Sequence, residues 1–330
     1  MNLSVVNSTE RNISYTQVRD TFETALAKNM IVVALCFSIN YINGTLVHTF
    51  LRHEIFNGNP RYILFVHMVI NDMIQLTIAV LLNLIAYIFF KINVSFCCFL
   101  LVIAISTTVN TPLNVASMAI ERYIAICEPL RHTQICTVHR TYNLIGIIWT
   151  LGALPILADV FMLLATEPKE FFRSSIFCSR DVVFRQAVML KKKNIWHAIY
   201  LSFVWLILVY TYFRILFAAT AMSADASKAR NTILLHAAQL LMCMLTYVGP
   251  VLNTALLYMF PMNLLEIRFT SYVIIHILPR LGSPIIYGLR DEAFRKYFKM
   301  YLLCNVTVTS HHKNMSTIRC VTSPRVKPSL

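Results

Sequence analysis

The sequence predicts an all-α membrane protein: a seven-transmembrane-helix bundle followed by a short amphipathic eighth helix. Three observations predict it. The 330 residues are 57% hydrophobic and only 13% charged, which is more apolar surface than a soluble domain can hide. The apolar residues gather into seven stretches, at 29–51, 60–90, 97–126, 141–165, 195–221, 231–259 and 270–289, each at least as long as the ~20 residues that cross a bilayer. The basic residues behind the formal net charge of +14 are spread among the connections and the tail. That spread fits a juxtamembrane role better than a nucleic-acid interface, so no nucleic-acid partner is expected.

Residues 1–28 are polar and lack an apolar h-region. They read as an extracellular N-terminal tail ahead of a signal-anchor helix, with no cleaved signal peptide. Sequons at Asn2, Asn7 and Asn12 crowd this tail and fit a lumenal, later extracellular, location. With the N-terminus outside, the inner side carries 16 Lys and Arg and the outer side 12. Seven of those 12 lie in the long 166–194 connection, which counts little in the positive-inside rule.

Residues 29–289 read as one bundle domain. Its third helix ends in Glu121-Arg122-Tyr123, a charged pair where an apolar helix leaves the bilayer, and Pro129-Leu130-Arg131-His132 follows. Asp72 and Arg280 lie deep in the second and seventh stretches. Charges at such depth are costly and read as functional, and two opposite buried charges are cheapest when paired.

Residues 290–304 mix aromatic and cationic residues and read as a helix on the inner leaflet. Cys304 is either palmitoylated or a free thiol there, and 305–330 is a cytoplasmic tail. Most of the nine cysteines lie in apolar stretches and read as small buried hydrophobes. No Cys pair has metal-site spacing, and no phosphate loop or nucleophile elbow appears. No cofactor and no enzymatic activity are therefore expected. A transporter would show inverted repeats or paired half-helices, and the sequence has neither.

Taken in order, these residues resemble the rhodopsin-like G-protein-coupled receptors across residues 25–304. Asn43 stands in the first helix, Asn71-Asp72 in the second and Trp149 in the fourth. Glu121-Arg122-Tyr123 matches the Asp/Glu-Arg-Tyr motif, and Ser283-Pro284-Ile285-Ile286-Tyr287 matches Asn-Pro-x-x-Tyr, with Ser in place of the usual Asn. The run from Met118 to Cys127 with Pro129-Leu130-Arg131-His132 is similar to the hallmark of odorant receptors. So is Pro284-Ile285-Ile286-Tyr287-Gly288-Leu289-Arg290-Asp291, and Glu121 with the Gly-Leu-Arg-Asp ending resembles the fish-type branch. Thr246-Tyr247-Val248-Gly249 only approximates the aromatic sixth-helix motif.

The resemblance implies an odorant receptor of the plasma membrane. It would bind a small-molecule odorant in the extracellular half of the bundle and activate a heterotrimeric G protein of the stimulatory type, raising cAMP. A non-olfactory rhodopsin-like receptor for another small ligand is the alternative. The resemblance further implies a disulfide from Cys97 to Cys178, with Cys98 as the competing partner. Arg122 pairs with Glu121 at rest and turns towards Tyr210 and Tyr287 on activation, and Leu130 plugs into the G protein. Relatives hold sodium at the position of Asp72. Helices two and seven are neighbours in that bundle, so either Arg280 replaces the ion or it bonds only to backbone carbonyls or water beside Pro279. The implied pocket takes in Ala104, Ile105, Thr108, Tyr247 and His276, the last either a ligand contact or a bundle hydrogen-bonder. No acid stands near Ala104 to hold an amine, and the mixed apolar and hydroxyl lining suits small neutral or weakly polar molecules.

Overall fold

The computed structural model describes residues 21–221 and 264–282, with further single positions at 249, 252, 255, 256, 258–260, 295 and 298. Among the described residues, five helices are long and apolar enough to cross a membrane. They are the first span Phe22–Arg52, the second Pro60–Ile88, the third Val94–Cys127, the fourth Val138–Thr166 and the fifth Ala187–Ala221. A final helix, Leu264–Tyr272, runs on through a π turn at Val273–Ile277 and remains helical to residue 282. The expected sixth stretch lies outside the described residues except at single positions. So do residues 1–20, with the three sequons, and everything from 283 on apart from residues 295 and 298.

Polar caps set where the spans begin. The side chains of Thr21, Asn59, Asn93 and Thr137 accept hydrogen bonds from the amides of Thr24, Arg61, Ser95 and Arg140, satisfying donors that a helix start leaves open. These caps stand before the apolar residues, so the first span starts at Phe22 rather than 29, the third at Val94 rather than 97 and the fourth at Val138 rather than 141. The largest difference is at the fifth span, which begins at Ala187 rather than 195. Lys191, Lys192 and Lys193 are good helix formers despite their charge, and the extension moves them from the 166–194 connection onto a helix.

The third span is the hub. It packs on the second, fourth and fifth, and 56% of its apolar window is buried against 22% for the fifth. Phe65 and Met68 from the second span and Val115 and Met118 from the third pack with Val204 and Leu208 from the fifth in the largest core cluster. Gly152 lets the fourth span come close: a Cβ there would overlap the Asn110 side chain and sit 3.1 Å from the Ser106 carbonyl. Close approach at a small residue is how membrane helices gain packing contacts. The Asn110 amide, oriented to donate, reaches the carbonyls of Ser106 at 3.2 Å and Ile148 at 3.0 Å.

A second polar link joins the same helices. Trp149 Nε1 donates to His67 Nε2 at 2.9 Å, which leaves the ring proton on Nδ1 to donate to Asn114 Oδ1 at 2.8 Å. His67 is thereby held in its neutral form.

At the face where the first span begins, Ile92–Asn93 and Ser175–Ile176 pair as two short antiparallel strands. Cys97 and Cys178 are joined by a disulfide beside them, while Cys98 is buried and free. At the opposite face, short helices follow the first and third spans, at Glu54–Asn57 and Pro129–Ile135.

Candidate functional site

The middle of the bundle holds a polar axis. Arg280 Nη1 donates to Asp72 Oδ1 at 2.9 Å, and the two side chains are 4% and 2% exposed. The same nitrogen lies 3.4 Å from Thr111 Oγ1. Thr111 accepts from Asn71 Nδ2 at 3.1 Å and lies 3.2 Å from Gln75 Oε1. Gln75 Nε2 donates in turn to Thr108 Oγ1 at 2.9 Å. The second span, the third span and the final helix are thus tied together by one charge pair and its hydrogen-bonded neighbours. Burial of both ions in such a network is tolerable because each has a partner.

The opposite face carries the Glu121-Arg122-Tyr123 group. Glu121 Oε1 sits 3.0 Å from His132 Nε2, so this carboxylate is engaged by a histidine eleven residues on. The third span ends at Cys127, Glu128 takes φ −132° and ψ 56°, and Pro129 starts a new helix that turns His132 back. Arg122 is buried. Tyr210 packs its ring 5.9 Å from that of Tyr123, and the Arg214 guanidinium lies 5.9 Å over Tyr123. Leu130 is 91% exposed on the Pro129–Ile135 helix. Pro284, Tyr287 and Cys304 lie outside the described residues.

The candidate ligand positions divide between two sides of the third span. The Thr108 hydroxyl donates to the Ala104 carbonyl at 2.7 Å and accepts from Gln75, so it faces the second span. Ile105 instead lines a cavity of about 20 Å³ with Val109, Pro155, Ile156, Asp159 and Trp196, among others, between the third, fourth and fifth spans. His276 lies within the π turn, and Tyr247 lies outside the described residues. A larger cavity of about 280 Å³ lies between the final helix, at Ile267, Thr270 and Ile274, and Leu252 and Leu256.

The structure adds residues that sequence reasoning passed over. Thr111 and Gln75 complete the polar axis, and His132 holds Glu121. Asp159 is buried in the fourth span against Lys192 and Arg180. A carboxylate inside an apolar stretch is itself a signal, and reading it at 159 as at 72 would have found this group.

Long apolar helices around a buried charge pair, with a disulfide-tethered loop at one face, define a multi-pass membrane protein with an integral polar core. The family described as 7 transmembrane receptor (rhodopsin family) matches residues 42–287, and the chain belongs to that family of receptors. Its relatives lie among the chemosensory members. It is 30% identical to Odorant receptor 131-2 of Danio rerio over 303 residues, 90% of this chain and 93% of that protein. It is 25% identical to Olfactory receptor 4K1 of Homo sapiens over 271 residues, 78% of this chain and 84% of that one. With Olfactory receptor 1073 of Rattus norvegicus the identity is 26% over 200 residues, 57% of this chain and 61% of that one.

Proposed function

We propose that this receptor is an odorant receptor of the plasma membrane. Its N-terminus lies outside the cell, a small molecule binds in the extracellular half of the bundle, and the receptor activates a stimulatory heterotrimeric G protein that raises cAMP. The observation that carries the reading is the similarity to a fish odorant receptor along nearly the whole of both chains.

The geometry supports a mechanism for it. The Cys97–Cys178 bridge holds the outer loop against the top of the third span, which limits the states open to that loop. Arg280 stands on Asp72 where relatives hold sodium, so a fixed guanidinium does the work of a mobile ion. Ligand binding shifts the balance between two packings of this axis. At the inner end Arg122 leaves its resting place and turns towards Tyr210 and Tyr287, opening a cleft. Leu130 projects where a G protein covers it, and the 290–304 helix with Cys304 lies along the inner leaflet.

The test is a cAMP reporter in cells expressing the full chain, screened with a panel of small volatile and water-soluble odorants. An agonist should raise cAMP, and Arg122→Ala should abolish the rise while surface expression persists. Full signalling by Arg122→Ala refutes the assigned switch, and transcripts confined to tissue other than olfactory epithelium refute the olfactory role.

A further inference from the structure

Asp159 is a buried carboxylate, 4% exposed in the fourth span, and it has two cations against it. Lys192 Nζ, on the early turns of the fifth span, is 2.7 Å from Oδ1. Arg180 Nη2 is 3.8 Å from Oδ2, beyond hydrogen-bond distance. Arg180 opens the short helix Arg180–Val183, two residues after the bridged Cys178, so the disulfide fixes where this guanidinium stands.

Two cations face one carboxylate, and the surplus is positive. The other acid close to Arg180 is Asp181, which is exposed and so largely screened by water. Burial draws the Arg180 pKa below its usual value, and Asp159 and Asp181 only partly offset this. A cation in that state gains from an added anion. Lys192 spends its shortest contact on Asp159, whereas the Arg180 fork is hydrogen-bonded to no acceptor among the described residues. A guanidinium with open donors matches a carboxylate two bonds at a time.

The surroundings agree. All three charged groups line one cavity together with Ile105, Val109, Ile156 and Trp196. This is an apolar wall for a tail beside a cationic mouth. Residues 166–194 carry seven Lys and Arg against three Asp and Glu, a field that draws anions towards that mouth. At about 20 Å³ the cavity has room for roughly one water. A larger guest therefore requires Lys192 and Trp196 to swing outward. Their exposures of 38% and 41% mean that protein packing does not lock either in place.

We propose that Arg180 and Lys192 form the recognition site for the anionic head of a small organic acid, a carboxylate whose short apolar tail lies against Ile105, Val109 and Trp196. The proposal rests on the receptor reading above and narrows its ligand class from neutral molecules to acids. The neutral expectation rested on the absence of an acid near Ala104 and on an implied lining of Ala104, Ile105, Thr108, Tyr247 and His276, of which Ile105 also lines this cavity.

The experiment uses the full chain purified in detergent, with thermal unfolding followed in the presence of pentanoate, pentanamide or pentylamine. Pentanoate should raise the unfolding midpoint and the other two should not. Arg180→Gln should raise the pentanoate concentration needed by at least about tenfold, the loss of one hydrogen-bonded charged partner. Lys192→Met should act in the same direction. Asp159→Asn removes the internal competitor for both cations, so pentanoate should bind as well or better.

The opposite pattern, stabilisation by pentylamine that disappears in Asp159→Asn, means that an amine takes the place of Lys192, and it overturns the proposal. So does a pentanoate effect unchanged by both cation variants, or no pentanoate effect at all. The cAMP reporter separates the two levels. Pentanoate binding with no odorant response anywhere in the panel retains the anion site and removes the odorant reading. A cAMP response to pentanamide without pentanoate binding does the reverse.

Discussion

Removing one partner of the Asp72–Arg280 pair should cost far more than removing both. The two side chains are 2% and 4% exposed and meet at 2.9 Å, so neither ion can call on water when the other is gone. At an effective dielectric of about 20 their attraction is roughly 5–6 kcal/mol. That attraction offsets a desolvation cost of several kcal/mol per ion, so the net contribution of the intact pair is small. Asp72→Asn or Arg280→Met alone strands a buried charge and should destabilise by about 3–5 kcal/mol. At roughly 2–4 °C per kcal/mol, either variant should unfold several degrees below the parent.

The double variant strands nothing and should lose far less than either single, a coupling of more than about 3 kcal/mol. The assay is thermal unfolding of the purified receptor in detergent, read as a double-mutant cycle, with surface expression alongside. A sodium titration against potassium at constant ionic strength adds a second readout. The parent should be indifferent to the swap, and Arg280→Met should become sodium-stabilised, because its carboxylate then lacks a cation. Losses that add to within about 0.5 kcal/mol, or a parent already stabilised by sodium, refute the reasoning.

Leu130 is 91% exposed, so Leu130→Ala should leave the unfolding midpoint unchanged. It should weaken G-protein activation by about 2 kcal/mol of lost burial, roughly 30-fold in the G protein required. In Gly152→Ala the helix-propensity gain of about 1 kcal/mol competes with overlap on Asn110. Overpacking costs about 1–3 kcal/mol, so the midpoint should fall, and a rise would show that the third and fourth spans can part without loss. His132→Phe should free Glu121 and raise ligand-independent cAMP, and an unchanged basal level would show that this contact restrains nothing. Peptide-N-glycosidase treatment of membrane-made receptor should shift its gel mobility, and replacing Asn2, Asn7 and Asn12 together by Gln should remove the shift.

The spans were legible because length and apolarity are all a bilayer asks of a helix. Their starts were less so, since a cap is a polar residue standing before the apolar pattern begins. The three lysines at 191–193 show the same limit: hydropathy counts them as loop, while helix propensity carries the fifth span through them. The depth of Asp72 and Arg280 was readable from their distance to the stretch ends, but the rotation that turns one towards the other is a property of packing. The partner of Glu121 was hidden for another reason. A motif written as consecutive letters invites pairing neighbours, whereas His132 arrives only because the chain breaks at Glu128 and doubles back. Asp159 was visible as a charge in an apolar stretch, but its two partners come from a loop helix and an extended span that the sequence pattern did not place.

The bond between Cys97 and Cys178, 81 residues apart in the chain, encloses nearly all of the third span and the whole of the fourth in one covalent loop that threads the bilayer twice. Ring closure must therefore come late in biogenesis. With the N-terminus outside, as proposed above, Cys178 joins Cys97 in an oxidising lumen only after the fourth span has been threaded in the correct direction. A chain that threads it wrongly leaves that sulfur in the cytosol, where disulfides do not persist. Oxidation thus acts as a proofreading step on membrane insertion. Once it has occurred, neither helix can be extracted by the degradation machinery without dragging its neighbour along, unless the bond is first reduced.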